Sequence, residues 1–222
     1  MSGFAVVFDM DGVIFDTETV GLRSWVTVGE RHGLENVEHY ARECIGRSTK
    51  DSIKILSDAY GDIDIEALRK ECVLEFKNII AREGLVMKKG VPELLGWLKE
   101  NGIKTALASS TEYNGVMGHL KSAGIDGFFD TVIGGDMVVN SKPEPEIYLK
   151  ACEALGISPE KAFAIEDSNN GIISAHRAGM RPLLVPDIVE NTEEVKQMAE
   201  RIFTDLLEVR DYLSGVKLSV NS

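Results

Sequence analysis

Cysteine is scarce in this chain. Its 222 residues include three, Cys44, Cys72 and Cys152, odd in number and never in a C-x-x-C pair, which argues against a disulfide framework and against a thiolate zinc site. They read as ordinary, mostly buried thiols. Long apolar runs are missing too, since none approaches the roughly 20 residues that a membrane-spanning helix needs. Met1-Ser2-Gly3 leads directly into the apolar Phe4 to Phe8 with no basic region before it and no small-residue cleavage site after it, so a secretory signal is not expected and a cytoplasmic location is. Positive charge is also short. With 24 Lys+Arg against 36 Asp+Glu the formal charge is −12, a balance that repels polyanions from any broad surface. Nucleic acid and anionic membrane are therefore not expected as partners, whereas a small phosphorylated ligand in a locally positive or metal-bearing pocket stays open. A monomer or small homo-oligomer is expected.

What is present is ordinary for a globular chain: 44% hydrophobic and 27% charged residues, at a length that suits one core with a sizeable insert. The second half repeats one unit, a helix-period segment, a glycine stop and a short apolar strand. Pro92 to Gly102 leads into Lys104 to Ala108, Tyr113 to Gly124 into Thr131 to Ile133, Pro145 to Gly156 into Ala162 to Ile165, and Ser168 to Gly179 into Leu183 to Val185. Phe4 to Phe8 adds a strand at the N-terminus. This alternation predicts an α/β fold, a Rossmann-like parallel sheet with helices on both faces and right-handed crossovers. Residues 17–88 differ, with helical periodicity in Leu22 to Arg31, Asp51 to Tyr60 and Ile65 to Arg82 and no strand among them. They read as a helical cap inserted after the first strand, a candidate lid at the carboxyl edge of the sheet. The domains expected are thus 1–16 with 89–222 as the core and 17–88 as the cap. Residues after Ser214 carry no clear pattern and read as a frayed end. Trp25 and Trp97 read as core, and His32, His39, His119 and His176 as surface or capping residues.

The strand ends carry the chemistry. Phe8-Asp9-Met10-Asp11-Gly12 places two carboxylates two residues apart after an apolar run, with a glycine that lets the chain turn. Alone, that pattern is equally a polar strand end with an Asx turn. The other strands end in Ser109-Ser110-Thr111, in Gly134-Gly135-Asp136 followed by Lys142-Pro143, and in Glu166-Asp167-Ser168. In a parallel sheet all these ends share one edge, so Asp9, Asp11, Ser109, Glu166 and Asp167 are expected to converge, joined by Lys142. Ser168 reads as a helix cap.

With these motifs in order, the chain resembles the haloacid dehalogenase-like hydrolase superfamily, in the subgroup with a helical cap after the first motif. The motifs are Asp9-Met10-Asp11-Gly12-Val13, Ser109, Lys142-Pro143 and Glu166-Asp167-Ser168-Asn169-Asn170-Gly171, and they span most of the chain. The resemblance implies an aspartyl-phosphate mechanism with Asp9 as nucleophile and Asp11 as general acid and then base. It implies Ser109, Ser110 and Lys142 on the phosphate, and Mg²⁺ held by Asp9, the Asp11 carbonyl, Glu166 and Asp167, since adjoining carboxylates need a divalent cation and oxygen-only ligands suit Mg²⁺.

Relatives of this pattern include phosphatases of small phosphorylated metabolites and β-phosphoglucomutases. The mutases carry Gly-Val-Ser-Arg in the cap, where this chain has Gly46-Arg47-Ser48-Thr49, and a cap histidine where it has Val20 and Gly21. Both departures favour transfer to water, with a sugar phosphate as the default substrate. Gly46, Arg47, Ser48 and Thr49 are the expected specificity residues. A phosphosugar mutase, and a non-catalytic metal-binding or regulatory protein on the same scaffold, remain as alternatives.

Overall fold

Six short strands, all parallel, form one sheet in the order β3-β2-β1-β4-β5-β6. They are β1 (Ala5–Phe8), β2 (Lys104–Ala108), β3 (Thr131–Ile133), β4 (Ala162–Glu166), β5 (Arg181–Leu184) and β6 (Arg201–Ile202). The computed structural model describes residues 3–45, 49–61, 63–188 and 190–220, with side chains for all of these but 49–51 and 217–220. The helices are α1 (Thr17–Arg31), α2 (Val37–Cys44), α3 (Thr49–Tyr60), α4 (Ile65–Glu83), α5 (Val91–Glu100), α6 (Tyr113–Ser122), α7 (Glu146–Leu155), α8 (Asn169–Arg177), α9 (Glu193–Met198) and α10 (Leu206–Val220). The chain separates into two compact units, Met1–Phe15 with Met87–Ser222, and Asp16–Val86.

Side chains in a strand alternate between faces, and both faces of this sheet are apolar because both are covered. On one face Ala5 and Val7 of β1, Ala106 and Ala108 of β2, and Ala162 and Ala164 of β4 meet Ile147, Tyr148, Ala151 and Cys152 of α7. The small strand residues let α7 sit close. On the other, Phe163 packs edge-on against Phe4 at 5.3 Å and against Tyr212 of α10 at 6.2 Å between centroids. The four glycine stops all take positive φ, from 61° at Gly102 to 77° at Gly179, the left-handed backbone that ends a helix without a Cβ penalty.

The strand order places the functional edge. The chain leaves β1 for β2 and β3 on one side, then returns to β4 on the other. β1 and β4 are thus hydrogen-bonded neighbours at the point where the winding reverses, where open α/β sheets leave a crevice at their carboxyl ends.

In the helical unit Asp16 accepts from Thr19 N at the start of α1 and Asp64 from Ala67 N at the start of α4, each satisfying an otherwise unpaired first-turn donor. Val28 of α1 packs with Leu68 and Cys72 of α4, and Trp25 and Leu34 close over them. A cavity of about 250 Å³ within this unit is lined by Glu18, Leu22, Trp25, Cys44, Ser52 and Arg69, among others.

Several elements differ from the sequence reading. α2 is not among the helices expected from the sequence: it is eight residues long and starts from Asn36 in the left-handed region without a side-chain cap, so although Val37, Tyr40, Ala41 and Cys44 keep helical spacing, the pattern lasts only two turns and has no start signal. β6 has two exposed residues, held by pairing with Leu183 and Leu184 of β5. The segment after Ser214 continues α10 to Val220. Leu206, Val209 and Leu213 anchor that helix in the core, and propagation beyond them adds one backbone bond per residue. Trp25 and Trp97 are half-buried packing residues at the margins of their cores. Cys72 and Cys152 are buried, and burial pushes their thiols up to about 12 and about 11. No helix among the described residues is long and apolar enough to cross a membrane.

Candidate active site

Asp9 is the first residue past β1. Its N–H bonds the carbonyl of Ile165 in β4 at 3.0 Å, so the β1–β4 ladder carries it onto the edge that also delivers Glu166 and Asp167. Asp9 and Asp167 are each 7% exposed, and Glu166 is fully buried. One oxygen from each of the three lies within 4.8 Å of the others.

Lys142 reaches this cluster from the loop that precedes α7. Its Nζ donates to Asp9 Oδ1 at 2.5 Å, to Glu166 Oε1 at 2.6 Å and to the Ala108 carbonyl at the end of β2 at 3.1 Å. Tyr148, on the buried face of α7, donates its hydroxyl to the same Glu166 Oε1 at 2.6 Å and sets its ring 4.9 Å from the ammonium. Ser168 donates to Glu166 Oε2 at 3.0 Å and also accepts from Gly171 N, capping α8. Both oxygens of Glu166 are thus held by protein donors. A Cβ at Gly171 would fall 1.8 Å from the Glu166 carboxyl carbon, so glycine there makes room for the buried carboxylate.

Asp11 sits half-buried on the turn after Asp9. Its Oδ2 accepts from Ser109 Oγ at 3.4 Å and Thr111 Oγ1 at 3.3 Å, while Ser109 Oγ accepts from Thr111 N at 3.0 Å. Ser109 is fully buried and Ser110 exposed. At Gly12, with φ of 77°, a Cβ would lie 2.2 Å from Asp167 Oδ2, so glycine there makes room for that carboxylate beside the Asp9 turn.

The electrostatics are those of too many carboxylates for one ammonium. Burial, reinforced by Glu166 and Asp11 and opposed by Lys142, pushes the Asp9 carboxyl up to about 8. Burial also holds Asp167 well above the usual carboxylate range, with Glu166, Asp9 and Asp187 adding to it. For Lys142, burial works to lower the value, but Asp9 and Glu166 together outweigh it and keep the ammonium charged. A divalent cation fits this set: the donors are all oxygen, three buried carboxylates bring oxygens within 4.8 Å of one another, and the excess charge is negative.

The structure therefore brings together Asp9, Asp11, Ser109, Lys142, Glu166 and Asp167, with Ser110 at the margin. Gly46, Arg47 and Ser48 lie outside the described residues, and Thr49 is described only as the first backbone position of α3. Sequence reasoning missed Tyr148 and Thr111. A tyrosine on the apolar stripe of α7 was the available signal, because a buried phenol needs a partner for its hydroxyl. His119 of α6, expected at the surface or as a cap, is half-buried with its ring 6.4 Å from Phe15. Burial lowers its value, and the charge of Asp11 acts against that.

The chain is similar to several known proteins. The family model described as haloacid dehalogenase-like hydrolase matches residues 6–185. A "phosphorylated carbohydrates phosphatase" from Thermotoga maritima is 33% identical over 213 residues, which is 96% of this chain and 98% of that protein. The structure of a HAD family hydrolase from Deinococcus radiodurans R1 with bound phosphate and sodium superposes with a TM-score of 0.82 at 25% identity, covering 97% of each chain. That of a provisionally assigned β-phosphoglucomutase from Thermotoga maritima gives 0.81 at 31% identity, covering 96% of this chain and 99% of that one. With its motif residues gathered at the winding reversal of the sheet and the family model spanning them, the chain belongs to the haloacid dehalogenase-like hydrolases.

Proposed function

We propose that this protein is a Mg²⁺-dependent phosphomonoester hydrolase of a small phosphorylated metabolite, a sugar phosphate, working through an aspartyl phosphate on Asp9. The observation that carries the reading is the buried Asp9, paired to Lys142 and facing Asp167 at the reversal point of the sheet. A phosphatase of phosphorylated carbohydrates among the similar proteins supports the substrate class.

Asp9 and Asp167, with the Asp11 carbonyl, would hold the cation, while Glu166, expected among the ligands, is proposed to act through Lys142 and Asp9, because both its oxygens already have protein donors. When bound, Mg²⁺ supplies positive charge that keeps Asp9 ionised and lets an anionic phosphate approach an anionic nucleophile. An Asp9 carboxylate oxygen attacks phosphorus, the ester P–O bond breaks, and the leaving oxygen takes a proton from Asp11. Asp11, now a carboxylate, takes a proton from water as that water attacks the aspartyl phosphate, releasing inorganic phosphate and restoring Asp9. Lys142 and Ser109, with Ser110 beside it, hold phosphoryl oxygens while charge redistributes. The helical unit Asp16–Val86, with Gly46 to Thr49 in it, is proposed to select the leaving group.

The test is phosphate release from an aryl phosphate and a panel of sugar phosphates, with and without Mg²⁺ and with Asp9→Asn as control. Release that needs both Mg²⁺ and Asp9 supports the reading. The mutase alternative is favoured by the likeness to the provisionally assigned β-phosphoglucomutase. Conversion of β-glucose 1-phosphate to the 6-phosphate with a bisphosphate primer, in the absence of phosphate release, would replace the hydrolase reading by that one.

A further inference from the structure

Beyond β5 the chain passes through Val185 and Pro186 to Asp187, at the same carboxyl edge as Asp9 and Asp167. The Asp187 side chain is 9% exposed, and its Oδ1 pairs with Lys88 Nζ. Its Oδ2 is buried with no hydrogen-bond partner among the described residues. Leaving a buried carboxylate oxygen unpaired is costly, so such an atom points to something outside the chain that completes it.

Gly12 shows where that oxygen faces. A Cβ built there would lie 2.2 Å from Asp167 Oδ2 and 3.3 Å from Asp187 Oδ2, so both oxygens approach Gly12 and lie near one another beside the Asp9 turn. The loop is also organised around Asp167: Asn191, itself buried, donates its side-chain amide to the Asp167 carbonyl at 2.8 Å. Tying the loop to Lys88 needs only one carboxylate oxygen and gives no reason for the other to be turned inward.

We infer that Asp187 is a further carboxylate of the cation site, its Oδ2 accepting a hydrogen bond from water in the cation's shell and Lys88 fixing its orientation. The inference rests on the proposed reading of Asp9 and Asp167 as the cation site. It makes the charge of that site more negative than the four family motifs alone would.

The experiment is Mg²⁺ titration by calorimetry on the full, metal-stripped chain, together with melting temperatures in EDTA and in Mg²⁺. Wild type, Asp187→Asn and Asp167→Asn are compared, with circular dichroism to confirm folding. Losing a partner of this kind weakens metal affinity by about 10- to 100-fold, so Asp187→Asn is expected to bind Mg²⁺ about tenfold more weakly and to show a smaller Mg²⁺-induced rise in melting temperature. Should that variant fail to fold, Asp187→Ser is expected to show the same loss. Wild-type affinity in Asp187→Asn while Asp167→Asn is impaired would overturn the role of Asp187 and leave the cation reading standing. A melting temperature lowered equally in EDTA and Mg²⁺, with affinity kept, would reduce Asp187 to a tie for Lys88. Absence of Mg²⁺ binding by the wild type would overturn both readings.

Discussion

Lys142 donates to Asp9 Oδ1 at 2.5 Å across 133 positions of sequence, and the same ammonium reaches Glu166. One cation therefore holds the ends of β1 and β4 in register with the loop before α7. Glu166 is fully buried and Asp9 is 7% exposed, so water is a poor substitute for the ammonium.

Lys142→Met is accordingly expected to be severe. Removing one partner of a buried ionic cluster leaves uncompensated charge, which typically costs about 3–5 kcal/mol. Urea unfolding of the metal-free protein reads this directly, and a loss below about 1 kcal/mol, the worth of an exposed pair, would mean that the cluster is solvated.

Asp9→Asn is expected to abolish phosphate release while circular dichroism shows a folded chain. Substantial residual turnover would remove Asp9 as nucleophile.

Asp11→Asn is expected to lower turnover by about 10²- to 10⁴-fold, the usual worth of a positioned general acid and base. Mg²⁺ affinity should stay near that of the wild type, since only the Asp11 carbonyl is proposed as a ligand. Unchanged turnover would assign the proton transfers elsewhere.

Tyr148→Phe deletes the phenol that donates to Glu166 Oε1. A buried carboxylate that loses a donor is destabilised by about 1–3 kcal/mol, measurable as a lower urea midpoint with unchanged slope. An unaltered midpoint would mean that Lys142 and Ser168 alone satisfy Glu166.

The pH dependence of the metal-free protein follows from Asp9. Its folded value, raised to about 8 from 3.8, means that the folded state keeps a proton the unfolded chain releases. The stability this gives is present at low pH and is lost as pH rises through that window, at no more than about 1.4 kcal/mol per pH unit. Melting temperatures in EDTA between pH 5 and 8 should therefore fall more steeply for wild type than for Asp9→Asn. Parallel curves would show that Asp9 does not titrate in this range.

The sequence by itself determined the parts of this protein that depend on neighbours along the chain. The apolar run from Ala5 to Phe8, the alternation of helix and strand from Pro92 onward and the glycine stops are local patterns, and the parallel sheet follows from them. Asp9, Asp11, Ser109, Lys142, Glu166 and Asp167 stood out because each falls at or after a strand end, and a parallel sheet puts those ends together. Tertiary structure alone decided how they are paired. Nothing near Glu166 in sequence reveals that Tyr148 donates to it, or that Asp187 places beside Gly12 an oxygen without a partner among the described residues. Those contacts join residues brought close only by the register of β1, β4 and β5 and the packing of α7 on the sheet, and their energy depends on burial, which a local pattern does not encode. The same holds for β6, where pairing with β5 makes a strand of two exposed residues, and for α2, whose eight residues owe their helix to tertiary packing more than to their own propensity.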